Sequence, residues 1–335
     1  MKTKLVFVCI LFLLAQSVSA KQKPSISDID RIRLAEAFRI GESLGNRLWK
    51  DWTTAPFAIL LVTPEYEFLV RHPNPSDDFT LIGYDSLLQS KVYFRKQSFN
   101  KSFLATFPFN GPTTIVVGQA ENTTSKTSTP WVVSILHEHF HQLQYSRPDY
   151  LKAVEALNLS GGDKTGMWMI NYAFPYSEDE VKKTVETMCK ILLDALQTKG
   201  ESDFNNKLNV YMKERQKLEK MLKPEDYRYF SFQIWQEGVA RYTEYHMALL
   251  AAKMHKPSKE FKALKDYKPF NKVADEIKQN TLNEIKTLKF DEYQRVAFYP
   301  LGACEGFLLD RANPKWRERY LAEKFYIEKY FNPKK

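Results

Sequence analysis

Residues 131–145 read WVVSILHEHFHQLQY and hold His137, His139 and His141, half of the six histidines in a chain of 335 residues. Thr129 reads as an N-cap and Pro130 as a first helical residue, while Pro148 limits the other end, so a helix is predicted over 131–145. On a helix, residues four apart differ by about 40° around the axis, which puts His137 and His141 on one face. Two neutral imidazoles one turn apart can chelate Zn²⁺, and His137-Glu138-His139-Phe140-His141 satisfies H-E-x-x-H. Glu138 lies about 100° round from His137, within reach of a water at the metal but outside the ligand set. Zinc lowers the pKa of such a water towards about 7, and the carboxylate can take its proton as it attacks a carbonyl. His139 points about 200° from His137 and reads as a core or hydrogen-bonded histidine rather than a ligand. The bland alternative is a polar cluster on an ordinary helix. The capped start and the apolar flanks Ile135, Leu136 and Leu143 weigh against it.

A catalytic zinc needs a third protein ligand and an open fourth position. The metzincin continuation would need Gly and His at 144 and 147, where this chain has Gln144 and Arg147. The best candidate is Glu237. An acid amid Ile234, Trp235, Val239 and Ala240 is costly to bury unless it is paired or metal-bound. Its neighbour Gly238 would let another helix or the metal approach closely. His246, Glu244 and Asp163 are the substitutes. Glu244, two turns beyond Glu237, reads either as a partner holding a ligand histidine or as a surface salt bridge with Arg241 or Lys253.

Residues 235–245, WQEGVARYTEY, resemble the glutamate-ligand helix of gluzincin metallopeptidases, aminopeptidase-N-like enzymes in particular, through E-G-x-x-x-Y-x-E at Glu237, Gly238, Tyr242 and Glu244. Tyr299-Pro300-Leu301-Gly302 is similar to the Y-x-K-G segment that follows in those enzymes. The resemblance implies a zincin-like α+β fold and a zinc-dependent metallopeptidase that acts on a peptide or protein substrate. His137, His141 and Glu237 would then bind Zn²⁺, Glu138 would be the general base and Tyr299 would steady the oxyanion. It also implies that 113–117 is the sheet edge along which an extended peptide lies. On sequence alone, a tyrosine before proline is more often structural. Three departures stand out: Glu237 lies far beyond the short gap those enzymes leave after the second histidine, no G-x-M-E-N motif is present, and Leu301 replaces the lysine. An inserted helical segment over 142–236 accounts for the gap. Two other functions remain open, a zinc hydrolase of a non-peptide ester or amide and a non-catalytic binding protein on a zincin scaffold.

The rest of the chain sets the context. Lys2 and Lys4, an uncharged run over 5–14 and small residues up to Ala20 predict a secretory signal peptide over 1–20. The run is too short for a membrane span, which needs roughly 20 apolar residues. Residues 21–335 are therefore expected to be secreted or periplasmic, with no stable membrane span. The formal charge of +9 falls by two with the leader. Lysines over 253–289 read as a solvated face or as an attraction to anionic surfaces, and no nucleic-acid partner is expected because no such motif accompanies them. Twelve glycines, sixteen prolines and 44% hydrophobic residues exclude collagen-like and low-complexity chains. Cys9 leaves with the leader, so Cys189 and Cys304 either pair or stay as buried thiols.

Periodicity predicts a helix from about Ser27 to Trp52 and strands over 57–63, 68–71, 91–95 and 113–117. Helices follow along 181–196 and 208–222, and from Pro224 to about Met254, with an aromatic C-terminal segment over 325–331. The expectation is α+β, with a small mixed or antiparallel sheet and the H-E-x-x-H helix in 21–146 and a mostly helical part over 147–335. The aromatic loop 161–176 reads as a lid beside the metal or as a plug docked on the core. Asn100, Asn122 and Asn158 begin glycosylation sequons.

Overall fold

In the computed structural model, residues 23–331 are described, so the expected leader at 1–20 lies outside the described residues. Helix α1 (Asp28–Leu48) opens at Ser27, whose side chain accepts a hydrogen bond from the Asp30 amide. Six strands follow: β1 (Ile59–Val62), β2 (Tyr66–Val70), β3 (Thr80–Asp85), β4 (Ser90–Lys96), β5 (Leu104–Pro108) and β6 (Thr113–Gly118). They form one sheet in the order β3-β4-β2-β1-β6-β5. The β1–β6 pair is parallel and the other neighbours are antiparallel, so the sheet is mixed. The protein is therefore α+β.

The four expected strands are present, and two more were not legible. β3 is mostly exposed or half-buried and carries a bulge between Leu81 and Gly83. β5 is half-buried from Leu104 to Phe107 and ends at the exposed Pro108. Neither edge strand shows the alternation that burying one face produces. This corrects the expectation that 113–117 is the sheet edge: β6 lies between β1 and β5, and β5 is the edge strand on that side. Strands β1, β2 and β6 bury both faces. Ile59, Leu61, Ile115 and Val117 join the main core, while Leu60, Val62, Leu69 and Val116 pack on the outer face against Phe79, Phe99, Phe103, Phe107 and Phe109.

Helix α2 (Ser128–Tyr145) carries the histidines. It starts earlier than expected, with Thr127 as its N-cap, so Thr129 and Pro130 lie inside the first turn. Proline fits there because its missing N–H would be unpaired anyway. The cap comes from far along the chain: Asp266 accepts from the Ser128 amide (2.8 Å) and hydroxyl (2.6 Å). Further on, the Gln142 side-chain amide donates to Ala58 O and Thr113 O, which locks the helix to β1 and β6.

The helical half comprises α3 (Asp179–Gln197), α4 (Glu201–Met221), α5 (Pro224–Gln233), α6 (Val239–Met254), α7 (Phe270–Thr287) and α8 (Phe298–Ala312). Between α5 and α6 the chain makes a π-helical turn, Ile234–Gly238. One continuous core runs from Leu34 and Ile59 through Leu136 to Trp235, Leu301 and Tyr330. Among the polar side chains buried with it, Arg215 lies against Glu305 (3.0 Å) and Glu328 (3.4 Å). Within 161–176 the later part docks on the core, while Met167 and Ile170 are exposed: Trp168 is buried, Tyr172 stacks on Tyr229 at 4.3 Å, and Phe174 packs on Phe230, Phe290 and Phe298. The expected C-terminal docking also holds, with Ile327, Tyr330 and Phe331 buried. No described helix is long and apolar enough to cross a membrane.

Cys189 on α3 and Cys304 on α8 are free thiols, and both are buried. Burial pushes the Cys189 thiol up to about 12 and holds the Cys304 thiol well above its ordinary range. The thiolate is the reactive form. Folded protein should therefore leave Cys189 and Cys304 unlabelled by a water-soluble maleimide at neutral pH, and denatured protein should label both. Rapid labelling of either in the native state would contradict this burial.

Candidate metal centre

His137 and His141 sit on one face of α2 with ring centroids 5.0 Å apart. The π turn brings Glu237 opposite them. The nearest ligating atoms of His137, His141 and Glu237 all lie within 4.8 Å of one another, a group that can hold a metal ion. Two imidazole nitrogens and a carboxylate oxygen are donor types that Zn²⁺ takes. A π turn inserts one residue into a helix, which rotates a side chain out of the regular register. Here the inserted turn carries the acid.

The outer nitrogens of both histidines are occupied. His137 Nδ1 lies 3.4 Å from Glu244 Oε2, and His141 Nδ1 is 2.7 Å from Gln144 Oε1. His141 Nε2 faces Glu237 Oε2 at 3.4 Å. A partner on Nδ1 fixes the ring and leaves Nε2 for a metal. The two readings of Glu244 prove compatible, since it also meets Arg241 Nε at 3.3 Å. Lys253 has no part in this pair. Gln144 holds the π turn as well: its amide donates to Trp235 O, Gln236 O and Tyr320 OH.

Charge in the centre is strongly coupled. Burial opposes a charge on His141, yet Glu237 holds the imidazole above its ordinary range. Burial likewise opposes a charge on Glu237, but His141, Arg295 and His137 keep its carboxyl below the usual range. Glu244 is also held low, by Arg241 and His137 against the effect of burial. Without a metal the centre is thus an ion pair, and the charges that stabilise the carboxylates are those a dication would replace.

Glu138 is buried beside the two histidines. Thr106 on the edge strand donates to Glu138 Oε2 at 2.7 Å, with Glu138 O also within 3.1 Å. Tyr299 lies in the first turn of α8, its ring parallel to that of His137 at a 6.3 Å centroid separation. Burial and the Glu237 charge raise its pKa far above the ordinary phenol value, so its hydroxyl stays protonated and able to donate. Arg295 Nη1 bridges Glu237 Oε1 (3.4 Å) and Tyr299 OH (3.3 Å).

Gly238 and Gly302 bring the Glu237 turn and the Tyr299 helix together. A Cβ on Gly238 would lie 2.4 Å from Gly302 Cα and 2.9 Å from Phe298 O. A Cβ on Gly302 would lie 2.6 Å from Gly238 Cα. The glycine next to Glu237 thus serves the close approach of a helix. Tyr242 is structural, donating to Asp310 across the same interface.

The other sequence candidates lie elsewhere. His246 pairs with Asp310 at 3.3 Å. Asp163 organises the exposed turn before Trp168, accepting from the amides of Thr165 and Trp168. His139 stacks on Phe57 at 3.8 Å and meets Gln142 Oε1 at 2.6 Å, and burial pushes its pKa down to about 4. It belongs to the core. Thr106, Gln144 and Arg295 escaped the sequence reading. A glutamine three residues after His141 and an arginine four before Tyr299 were the only local signals for two of them, and nothing local marked Thr106. The chain matches no known family model, curated protein or solved structure at a significant level.

Proposed function

We propose that this protein is an exported zinc-dependent metallopeptidase of gluzincin type on a zincin-like fold, hydrolysing peptide bonds through an activated water. The observation that carries the reading is the meeting of His137, His141 and Glu237 within 4.8 Å, although the third residue lies far along the chain. Bound zinc would polarise the scissile carbonyl and make water acidic enough to deprotonate near neutral pH. Glu138 would accept a proton from the attacking water, with Thr106 holding one carboxylate oxygen and the other left for the water. Tyr299 donates its hydroxyl to the oxygen that becomes negative as the carbonyl is attacked. Glu244 and Gln144 keep the two imidazoles aimed. The free edge of β5 runs beside Glu138 and offers an extended peptide backbone groups to pair with.

The test is metal content. Purified protein should hold about one zinc per chain and cleave peptides. Glu237→Ala should lose zinc on dialysis, with an affinity drop greater than the roughly 10–100-fold expected when only a supporting partner is lost. Stoichiometric zinc in that variant would remove Glu237 from the ligand set. Metal binding without cleavage across a broad peptide library would move the reading to another ester or amide substrate. Absence of zinc from the wild type would leave a non-catalytic binding protein.

A further inference from the structure

Arg295 leaves most of its hydrogen-bonding capacity at this centre unspent. Its Nη1 serves both Glu237 Oε1 and Tyr299 OH, at 3.4 and 3.3 Å. Both contacts lie beyond the 2.7–2.9 Å expected for a charge-assisted hydrogen bond. Nε and Nη2 make no hydrogen bond among the described residues, and neither is a buried orphan, so that edge of the guanidinium meets solvent. The side chain is 24% exposed, in a centre whose histidines and Glu138 are buried.

The Nε–Nη2 edge is a fork matched to the two oxygens of a carboxylate. This chain uses that edge in the same way elsewhere. Arg31 grips Asp85 through Nε (2.6 Å) and Nη2 (3.1 Å). Arg319 grips Glu323 through Nε (2.8 Å) and Nη2 (2.6 Å). At Arg295 no carboxylate among the described residues meets that edge. Arg241, the other guanidinium near the Tyr299 ring, already faces Glu244 and Glu284.

The backbone adds an independent sign. Gln294, immediately before Arg295, has φ 46° and ψ −129°, a conformation that costs a non-glycine residue energy. Such strain persists where surrounding structure imposes it, and it is concentrated at binding and catalytic sites. Here it falls at the turn that delivers Arg295 to the centre.

We propose that the Nε–Nη2 edge of Arg295 binds a carboxylate of the substrate, so that the enzyme selects peptides with an anionic group next to the scissile bond. The inference rests on the metallopeptidase reading and narrows its substrate class. Because Nη1 touches the hydroxyl that would serve the oxyanion, a carboxylate on the other edge of the guanidinium sits on the same side of the centre as the reacting carbonyl. An acidic side chain and a free C-terminus carry the same group.

The experiment uses zinc-loaded protein and two peptide pairs. One pair differs by Glu against Gln beside the cleaved bond, and the other by a free against an amidated C-terminus. For at least one pair, wild type should favour the carboxylate member by about tenfold or more in kcat/KM. Arg295→Gln should bring that ratio close to one while zinc stays bound, and Arg295→Lys should restore part of it. The pair that responds identifies the source of the carboxylate. Equal kcat/KM within both wild-type pairs, or a ratio unmoved by Arg295→Gln, overturns the proposal. The same peptides titrated calorimetrically into Glu138→Gln and Glu138→Gln/Arg295→Gln read the preference without turnover. In that arm, a carboxylate preference that depends on Arg295 supports the proposal even if no peptide is cleaved, and its absence rejects it.

Discussion

Glu138→Gln is expected to lower kcat for peptide hydrolysis by about a thousandfold or more, with one zinc per chain still bound. The size follows from removing a general base, which typically contributes 10²–10⁴-fold. Retention of metal follows from the geometry, since the three candidate ligands are His137, His141 and Glu237 and none is altered. The glutamine is nearly isosteric, and its carbonyl can still accept from Thr106, so the edge strand keeps its anchor. Steady-state kinetics beside metal analysis reads both halves. Full turnover would sink the mechanism. Loss of zinc with loss of activity would mean that Glu138 supports the metal instead.

The second large effect concerns a residue that touches no substrate. Gly238→Ala should destabilise the protein by about 3 kcal/mol or more, at the upper end of overpacking costs, because the added Cβ would meet backbone 2.4 Å away and not a side chain that could rotate. For a chain of this size that shifts Tm by roughly 5–10 °C. Zinc affinity should fall with it, because relief of the clash has to move the π turn that carries Glu237. Gly302→Ala should act in the same way, and the double variant should cost less than the sum, since the two share one contact. Calorimetry with metal analysis checks this. Wild-type Tm and zinc content in Gly238→Ala would show that the two backbones are not in contact.

The three residues outside the sequence reading of the centre share one property, that their roles are set by partners remote in the chain. Thr106 lies on an edge strand with no apolar alternation, and only the pairing of β5 with β6 carries it to Glu138. Gln144 reads as an ordinary polar residue until the π turn supplies the carbonyls it bonds. Arg295 has no motif of its own. The misplacement of the α2 N-cap has the same origin, because Asp266 supplies the cap from another part of the chain.

By itself the sequence determined the elements whose signal is local. The spacing of His137 and His141 on one helix follows from 3.6 residues per turn, and β1, β2, β4 and β6 announce themselves as short stretches rich in β-branched or aromatic residues near turn formers. It also marked Glu237, because an acid in an apolar stretch needs a partner wherever the chain puts it. The tertiary structure alone decided that β5 is an edge strand and that Glu237 stands opposite the histidines. It also decided that Gly238 meets Gly302 and that Arg295 keeps an open fork. Periodicity fixes which way a residue points from its own element, whereas the distance between elements depends on how their surfaces pack, and here a glycine pair and a π turn set that distance.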